Sequence, residues 1–280
     1  MRLIRLNVLG IGDNVVDIYL PEKVGFPGGN ALNFTAFAKK LGAESEFIGT
    51  FGTDLLGKKV KEALDYLNVK YDKSKTFPGD NGFTRVMLDG GDRRFVFSNH
   101  GGVSKVYGIF AQPDNFINRD LVHFNVNGNC DNLIDYVNRE KTKIVYDFSD
   151  FEIGKERLAK LISSIDLACF SMPAASKESI TKFCGMLKAI NPRINVLCTS
   201  GSKGAHFFEA RTGRLTAVKA KKIQVKDTMG AGDAFITYFS LNFFNKERVN
   251  SVINILNGAT EFAASQCLVD GSFGYGFEVK

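Results

Sequence analysis

Asp227-Thr228-Met229-Gly230-Ala231-Gly232-Asp233-Ala234-Phe235 puts a carboxylate beside a glycine-rich turn, and an apolar run of helical length, Ala234 to Phe244, follows it. The turn therefore stands at a helix N-terminus, where free backbone N–H groups and the helix dipole favour an anion. Glycine lets an anion approach the backbone closely. Asp233 next to that cluster of donors has the makings of a general base and an oxyanion-type clamp, the donors being the N–H groups of Gly230, Ala231 and Gly232. For an isolated Gly-x-Gly-Asp the competing reading is a glycine turn closed by a capping aspartate.

A second glycine motif, Gly28-Gly29-Asn30-Ala31-Leu32-Asn33, lies near the N-terminus. In this order, the two motifs resemble the ribokinase/PfkB superfamily of carbohydrate kinases, and the resemblance runs from about Leu6 to the C-terminus. It implies a three-layer α/β fold with a mostly parallel central sheet and a small β lid. It also implies ATP-dependent phosphorylation of a sugar hydroxyl, with Mg²⁺ bridging the phosphates. Asp17, Gly28, Gly29, Asn30 and Asn33 then fall at positions that face the sugar; an aspartate plus amides can hold vicinal hydroxyls. Thr199-Ser200-Gly201-Ser202-Lys203-Gly204 fits a loop that cradles nucleotide phosphates, with Thr199, Gly201 and Gly204 at its key positions. Asn257 and Gly258 lie where the family's adenine pocket draws on a late helix. Asp227, the backbone near Met229 and the Cys267–Phe273 segment resemble the loop pair that holds a monovalent cation such as K⁺.

The chain departs from the pattern in one place. The family's Asn-x-x-Glu, which organises Mg²⁺ through water, is replaced by Ser171-Met172-Pro173-Ala174-Ala175-Ser176-Lys177-Glu178. Metal handling is expected to use Asp147, Asp150 or Glu178 in its place. That departure, together with Gly12-Asp13-Asn14-Val15-Val16-Asp17-Ile18-Tyr19 and Tyr146-Asp147-Phe148-Ser149-Asp150, is similar to the fructoselysine 6-kinase branch. The expected substrate is then a fructose carrying an amino acid on C1, phosphorylated on its 6-hydroxyl. Asp13 is the candidate for its cationic amine, and Arg85 or Arg94 for its carboxylate. Another kinase of the family (for ribose, fructose, ketodeoxygluconate or a nucleoside) and a catalytically silent sugar or nucleotide sensor stay open as alternatives.

Three other features are set aside. Gly52-Thr53-Asp54-Leu55-Leu56-Gly57-Lys58-Lys59 nearly matches a P-loop but ends in Lys59, not a hydroxyl, and its leucines open an amphipathic helix. Gly10-Ile11-Gly12-Asp13-Asn14-Val15 lacks the third glycine of a dinucleotide fingerprint. The three histidines, His100, His123 and His206, have no metal-ligand spacing and read as structural, with His100 a candidate lid contact.

The elements that must position these residues follow from periodicity. Strands are expected at Leu6–Gly12, Val15–Leu20, Glu46–Thr50, Phe83–Leu88 and Arg93–Ser98, the last two joined through Gly90-Gly91-Asp92 as a hairpin. Helices are expected at Asn33–Leu41 and Leu55–Leu67. From Leu121 the chain alternates: strands at Leu121–Val126, Lys143–Phe148, Leu167–Ser171 and Asn195–Thr199, and helices at Asp131–Glu140, Lys155–Ser163 and Lys177–Ala189. Such alternation argues for a parallel sheet covered by helices. Ala205–Glu209 and Leu215–Val218 form a second hairpin, and Ala234–Phe244 and Val252–Ser265 are the last helices. We expect one α/β domain over residues 1–280, with a lid formed by about residues 15–26 and 80–105.

Composition narrows the class. At 280 residues with 44% apolar content, the chain can bury a large core. A net charge of +6 suits an anionic ligand without requiring one. Lys58-Lys59-Val60-Lys61 and Lys219-Ala220-Lys221-Lys222 have no interleaved aromatics, so no nucleic-acid partner is expected. Five scattered cysteines without a C-x-x-C read as buried thiols in the cytoplasm. No apolar stretch reaches about 18 residues, so no membrane partner is expected. The expected partners are ATP and a small sugar, and the chain is a monomer or a homodimer joined through an exposed lid edge.

Overall fold

Gly10 and Ile11, deep in the first apolar run, stand at the centre of the molecule because their strand is paired on both sides. The computed structural model describes residues 6–89, 92–103, 110–245, 247 and 250–279. In chain order the strands are β1 (Asn7–Gly12), β2 (Val15–Tyr19), β3 (Val24–Gly28), β4 (Glu44–Gly52), β5 (Lys75–Phe77), β6 (Phe83–Asp89), β7 (Asp92–Asn99), β8 (Leu121–Asn125), β9 (Lys143–Asp147), β10 (Leu167–Ser171), β11 (Asn195–Thr199), β12 (Ala205–Glu209), β13 (Arg214–Val218) and β14 (Phe277–Glu278). The helices are α1 (Asn30–Lys40), α2 (Leu55–Tyr66), α3 (Lys155–Ser164), α4 (Lys177–Ile190), α5 (Ala231–Phe243) and α6 (Val252–Gln266).

The large sheet runs in the order β13-β12-β11-β10-β9-β8-β1-β4-β5. It is parallel from β11 through β5 and ends in the antiparallel strands β12 and β13. Its inner strands are apolar on both faces because helices cover both, as parallel sheets require. On one face α1, α5 and α6 pack around Phe34, Phe235, Phe239 and Leu256. On the other, α3 and α4 close over Ile144, Tyr146, Ile162 and Ile180. The parallel α/β architecture is the one expected from the alternation.

The small sheet, in the order β14-β3-β2-β6-β7, is the lid. It gathers the two expected segments and adds β14 from the C-terminal end. The Gly90-Gly91 part of the hairpin lies outside the described residues, as do Ser104 and Lys105. At the lid's base the buried Asn81 donates to Oδ1 of the buried Asn14 (3.0 Å), and Asn14 donates to the Thr50 carbonyl (2.6 Å). Both points at which the chain enters the small sheet, before β2 and before β6, are thereby tied to β4.

Several boundaries differ from expectation, each for a local reason. Helix α1 begins at Asn30, not Asn33, and α5 at Ala231, not Ala234; Gly230 precedes α5 in the left-handed region (φ 72°). The expected helix over Asp131–Glu140 is only a 3₁₀ segment, Asp131–Tyr136. The Asn138 side chain accepts from the Glu140 N–H (3.1 Å), forming a turn where a helix would have continued. Strand β3 was hidden by Pro27, which cannot donate to a ladder. Here β14 pairs only with Val24 and Gly25, so Pro27 lies beyond its reach. All five cysteines are buried free thiols.

Candidate active site

The carboxyl ends of β1, β8, β9 and β11 open on one side of the large sheet, the side on which ligands gather in open α/β sheets. Asp233, in the first turn of α5, faces the first turn of α1 there. Asn30 donates from Nδ2 to Asp233 Oδ1 (3.0 Å), and Asn33 donates from Nδ2 to Oδ2 (2.6 Å). Three residues apart, the two asparagines share one face of α1. Asn33 Oδ1 is buried without a hydrogen-bond partner.

The expected donor cluster is smaller than the motif implies. Ala231 N–H turns back to the Thr228 carbonyl (3.2 Å), so that group is engaged. The N–H groups of Gly230 and Gly232 have no acceptor among the described residues. Gly230 is fixed sterically as well: a Cβ there would lie 3.1 Å from Ser272 Cα.

Asp13, expected to face the substrate amine, has both carboxylate oxygens engaged at the start of α1. Its Oδ2 accepts from Asn30 N (2.9 Å), and its Oδ1 accepts from Ala31 N (3.1 Å) and Asn125 Nδ2 (2.8 Å). The N-cap position, Gly29, has no side chain, so Asp13 caps α1 from a distant loop. Burial pushes the Asp13 carboxyl up, opposed by those three donors. Asp17 is buried on β2, and its Oδ2 lies 3.0 Å from where a Cβ on Gly28 would stand, beside Ser272 Oγ (3.0 Å) and Asn33 Oδ1 (3.6 Å). A Cβ on Gly29 would lie 2.8 Å from Asn14 Cα, so both glycines of the motif are there for space.

Asp147 ends β9 in the same pocket. Its Oδ1 accepts from Ser149 N–H (2.7 Å) and its Oδ2 from Asn30 Nδ2 (2.6 Å). Burial, with Asp13 and Asp150 nearby, raises its carboxyl to about 6. A carboxylate so placed favours a cation and fits a Mg²⁺ ion held mainly by substrate phosphates, which needs only one or two protein carboxylates. Glu178 sits exposed in the first turn of α4.

His123, read as structural from the sequence, belongs to this cluster. Its Nε2 lies 2.7 Å from Asn30 Oδ1, and its ring stacks on Phe34 with centroids 4.1 Å apart. Burial lowers its pKa to about 3, so the ring is neutral. The one signal available in the sequence is its spacing two residues before Asn125 on β8, which places both on one face of the strand.

Asp227, expected beside a monovalent cation, is held by three donors. Asp227 is fully buried; Met229 N–H reaches its Oδ1 (2.8 Å), and Gly271 N–H (2.7 Å) and Tyr19 Oη (2.6 Å) reach its Oδ2. The Cys267 carbonyl accepts from Lys226 and Asp227 N–H, and the Gly271 carbonyl from Gln266 Nε2. Each carbonyl oxygen keeps a second lone pair, and Asp227 Oδ1 accepts from one donor, so these bonds leave room for the expected cation.

Arg85 and Arg94 also fall elsewhere. On β2 and β6, Asp17 pairs with Thr84 and Tyr19 with Val86, so Arg85 points to the opposite face. Its guanidinium lies over Phe97 (5.9 Å). Arg94 pairs with Met87 and shares that outer face.

In the nucleotide loop, Gly201 (φ 54°) and Gly204 (φ 105°) hold left-handed or extended-positive backbone, and a Cβ on Gly204 would clash with the Val218 carbonyl at 2.0 Å. Ser200 Oγ donates to the Met172 carbonyl (3.0 Å), tying the loop to the end of β10; Thr199 ends β11 beside it. Asn257 is exposed on α6, while Gly258 makes room for Tyr238 of α5, whose Oη would be 2.4 Å from a Cβ. In the P-loop-like stretch, Asp54 accepts from Gly57 N–H (3.0 Å) and fills the N-terminus of α2 with its own carboxylate.

The chain is similar to known carbohydrate kinases over most of its length. The family model for the pfkB family carbohydrate kinases matches residues 6–267. The fructosamine kinase FrlD of Bacillus subtilis (strain 168) is 32% identical over 281 residues, covering 98% of this chain and 95% of that protein. The fructoselysine 6-kinase of Escherichia coli (strain K12) is 29% identical over 233 residues, covering 82% of this chain and 86% of that protein. The structure of Arabidopsis thaliana ribokinase complexed with ribose and ATP superposes with a TM-score of 0.78 at 23% identity, over 96% of this chain and 94% of that one.

Proposed function

The chain belongs to the pfkB family of carbohydrate kinases and is an ATP-dependent sugar kinase, and from that premise we propose that it phosphorylates the 6-hydroxyl of a fructosamine such as fructoselysine. The observation that carries this reading is the 32% identity with a fructosamine kinase across nearly the whole chain.

In the reading we favour, Asp233 receives the proton of the substrate hydroxyl. The hydroxyl oxygen attacks the γ-phosphorus, the bond from that phosphorus to the β–γ bridging oxygen breaks, and ADP departs. Asn30 and Asn33 hold one Asp233 oxygen each, so the carboxylate is aimed before substrate arrives. Charge on the transferring group meets the N–H groups of Gly230 and Gly232 at the α5 N-terminus. Asp147 would hold a Mg²⁺ ion that arrives with the nucleotide, and the ion would supply charge neutralisation at the phosphates. Thr199, Gly201 and Gly204 shape the phosphate loop. Asp17, in place of Asp13, is the acidic neighbour for the substrate's hydroxyls and C1 amine. The lid closes over the sugar and excludes water. We place this activity in the cytoplasm, carried by one ribokinase-like unit that pairs through its lid.

The test is kcat/KM for fructoselysine against fructose, ribose and adenosine. Fructoselysine is expected to lead. A tenfold preference for any unmodified sugar or nucleoside, about 1.4 kcal/mol, would remove the fructosamine assignment and leave the kinase.

A further inference from the structure

We propose that His123 is a positioning residue for phosphoryl transfer: it locks the Asn30 amide so that one NH₂ group holds Asp147 and Asp233 together. The inference rests on the reading of Asp233 as the base.

The orientation can be deduced without reference to any hydrogen position. Asn30 Nδ2 lies 2.6 Å from Asp147 Oδ2 and 3.0 Å from Asp233 Oδ1. Only a donor can stand between two carboxylates, so the NH₂ end faces them and both of its hydrogens are used. The amide oxygen must then face His123 Nε2, 2.7 Å away. An oxygen there requires a donor, so His123 carries its proton on Nε2. The other ring nitrogen, Nδ1, is buried without a partner, which is consistent with a bare lone pair. Stacking on Phe34 fixes the ring plane, and with it the direction of the N–H. Burial keeps the ring neutral.

If His123 is removed, the amide is free to rotate, and its oxygen can turn toward one of the carboxylates. Either carboxylate then swings away, and Asp233 loses its aim at the substrate hydroxyl. The residue itself does not touch substrate, since it lies behind Asn30.

Glutamine keeps an N–H donor at about the reach of Nε2; leucine keeps the volume and has no donor. His123→Leu is expected to lower kcat by roughly 10–100-fold with little change in KM for ATP, while His123→Gln stays within about threefold of wild type. Combining His123→Leu with Asn30→Ala should cost little beyond Asn30→Ala alone, because the two act as one unit. Thermal melts of each variant check folding. A folded His123→Leu enzyme with wild-type kcat would overturn the proposal. So would a His123→Gln enzyme as impaired as the leucine variant, or full additivity with Asn30→Ala. The reading of Asp233 is tested separately by Asp233→Asn: if that variant is active while the His123–Asn30 coupling persists, the base assignment fails and the lock stands.

Discussion

Asp233 and His123 sit on opposite sides of one asparagine, and their roles differ in what substitution should do. Asp233→Asn preserves shape and removes the proton acceptor. Turnover should fall by roughly 10²–10⁴, the usual contribution of a general base, with ATP affinity retained in a binding titration; near-normal turnover would count against the assignment. His123 makes a separate prediction about stability. Burial puts its folded-state pKa near 3, against about 6.5 for an exposed histidine. As pH falls through that interval, the unfolded chain takes up a proton that the folded chain refuses. The stability associated with the neutral ring is present above pH 6.5 and is lost toward pH 3, by up to about 1.4 kcal/mol per pH unit. Asp147, raised to about 6, acts in the opposite sense over part of this window. The readout is therefore the difference between wild type and His123→Gln in urea melts at pH 7 and pH 4.5. The glutamine variant should gain relative stability at the lower pH; an unchanged difference would mean the ring is protonated in the fold.

At the scale of elements, the turn before α5 is held by the lid. Tyr19 belongs to β2, yet its hydroxyl binds the buried Asp227 carboxylate at the start of that turn, opposite Gly271 N–H. With these donors in place, no cation is needed to satisfy the carboxylate. If the segment also holds a monovalent cation, activity should rise when K⁺ replaces a bulky organic cation at constant ionic strength; a flat response, within about twofold, would leave the three donors alone to hold Asp227. Tyr19→Phe leaves the buried carboxylate short of one charge-assisted bond and should cost about 1.5–3 kcal/mol in a denaturant melt. If the Tyr19 bond does more than stabilise the fold, kcat in that variant will fall even where the protein remains fully folded.

At the scale of the whole molecule, the lid presents an unusual surface. Met87, Leu88, Phe95, Val96 and Phe97 are 40–59% exposed on adjacent strands. β7 is the edge of its sheet, with no strand on its outer side among the described residues. An apolar, unpaired edge of this kind is an aggregation hazard unless something covers it. A second copy of the chain fits, since β7 is the same surface on both partners and can form an isologous contact. Light scattering at micromolar concentration should give twice the mass of one chain, and Val96→Lys combined with Phe97→Lys should return it to one. A wild-type protein of single-chain mass would exclude the pairing.

The alternation of strands and helices was legible because burial on both faces of a parallel sheet demands long apolar runs, and those runs are local. So were Gly230, Gly28 and Gly29, whose spacing marks turns where side chains do not fit. The paired glycine motifs, through their resemblance to carbohydrate kinases, implied a kinase. Other features depended on residues far apart in the chain. Helix α1 starts at Asn30 because Asp13, seventeen positions earlier, supplies the cap that Gly29 lacks. Asn30 meets Asp147 and Asp233 across 117 and 203 positions. No periodicity reports such a meeting, and this is why His123 read as an ordinary core histidine. Arg85 and Arg94 looked suited to a carboxylate by charge alone. Which face they occupy depends on the pairing of β2, β6 and β7 and on the irregularity between Arg85 and Val86. A strand's side chains alternate with period two, so the sequence determined that the lid has two faces, and only the tertiary pairing decided which of them turns toward the site.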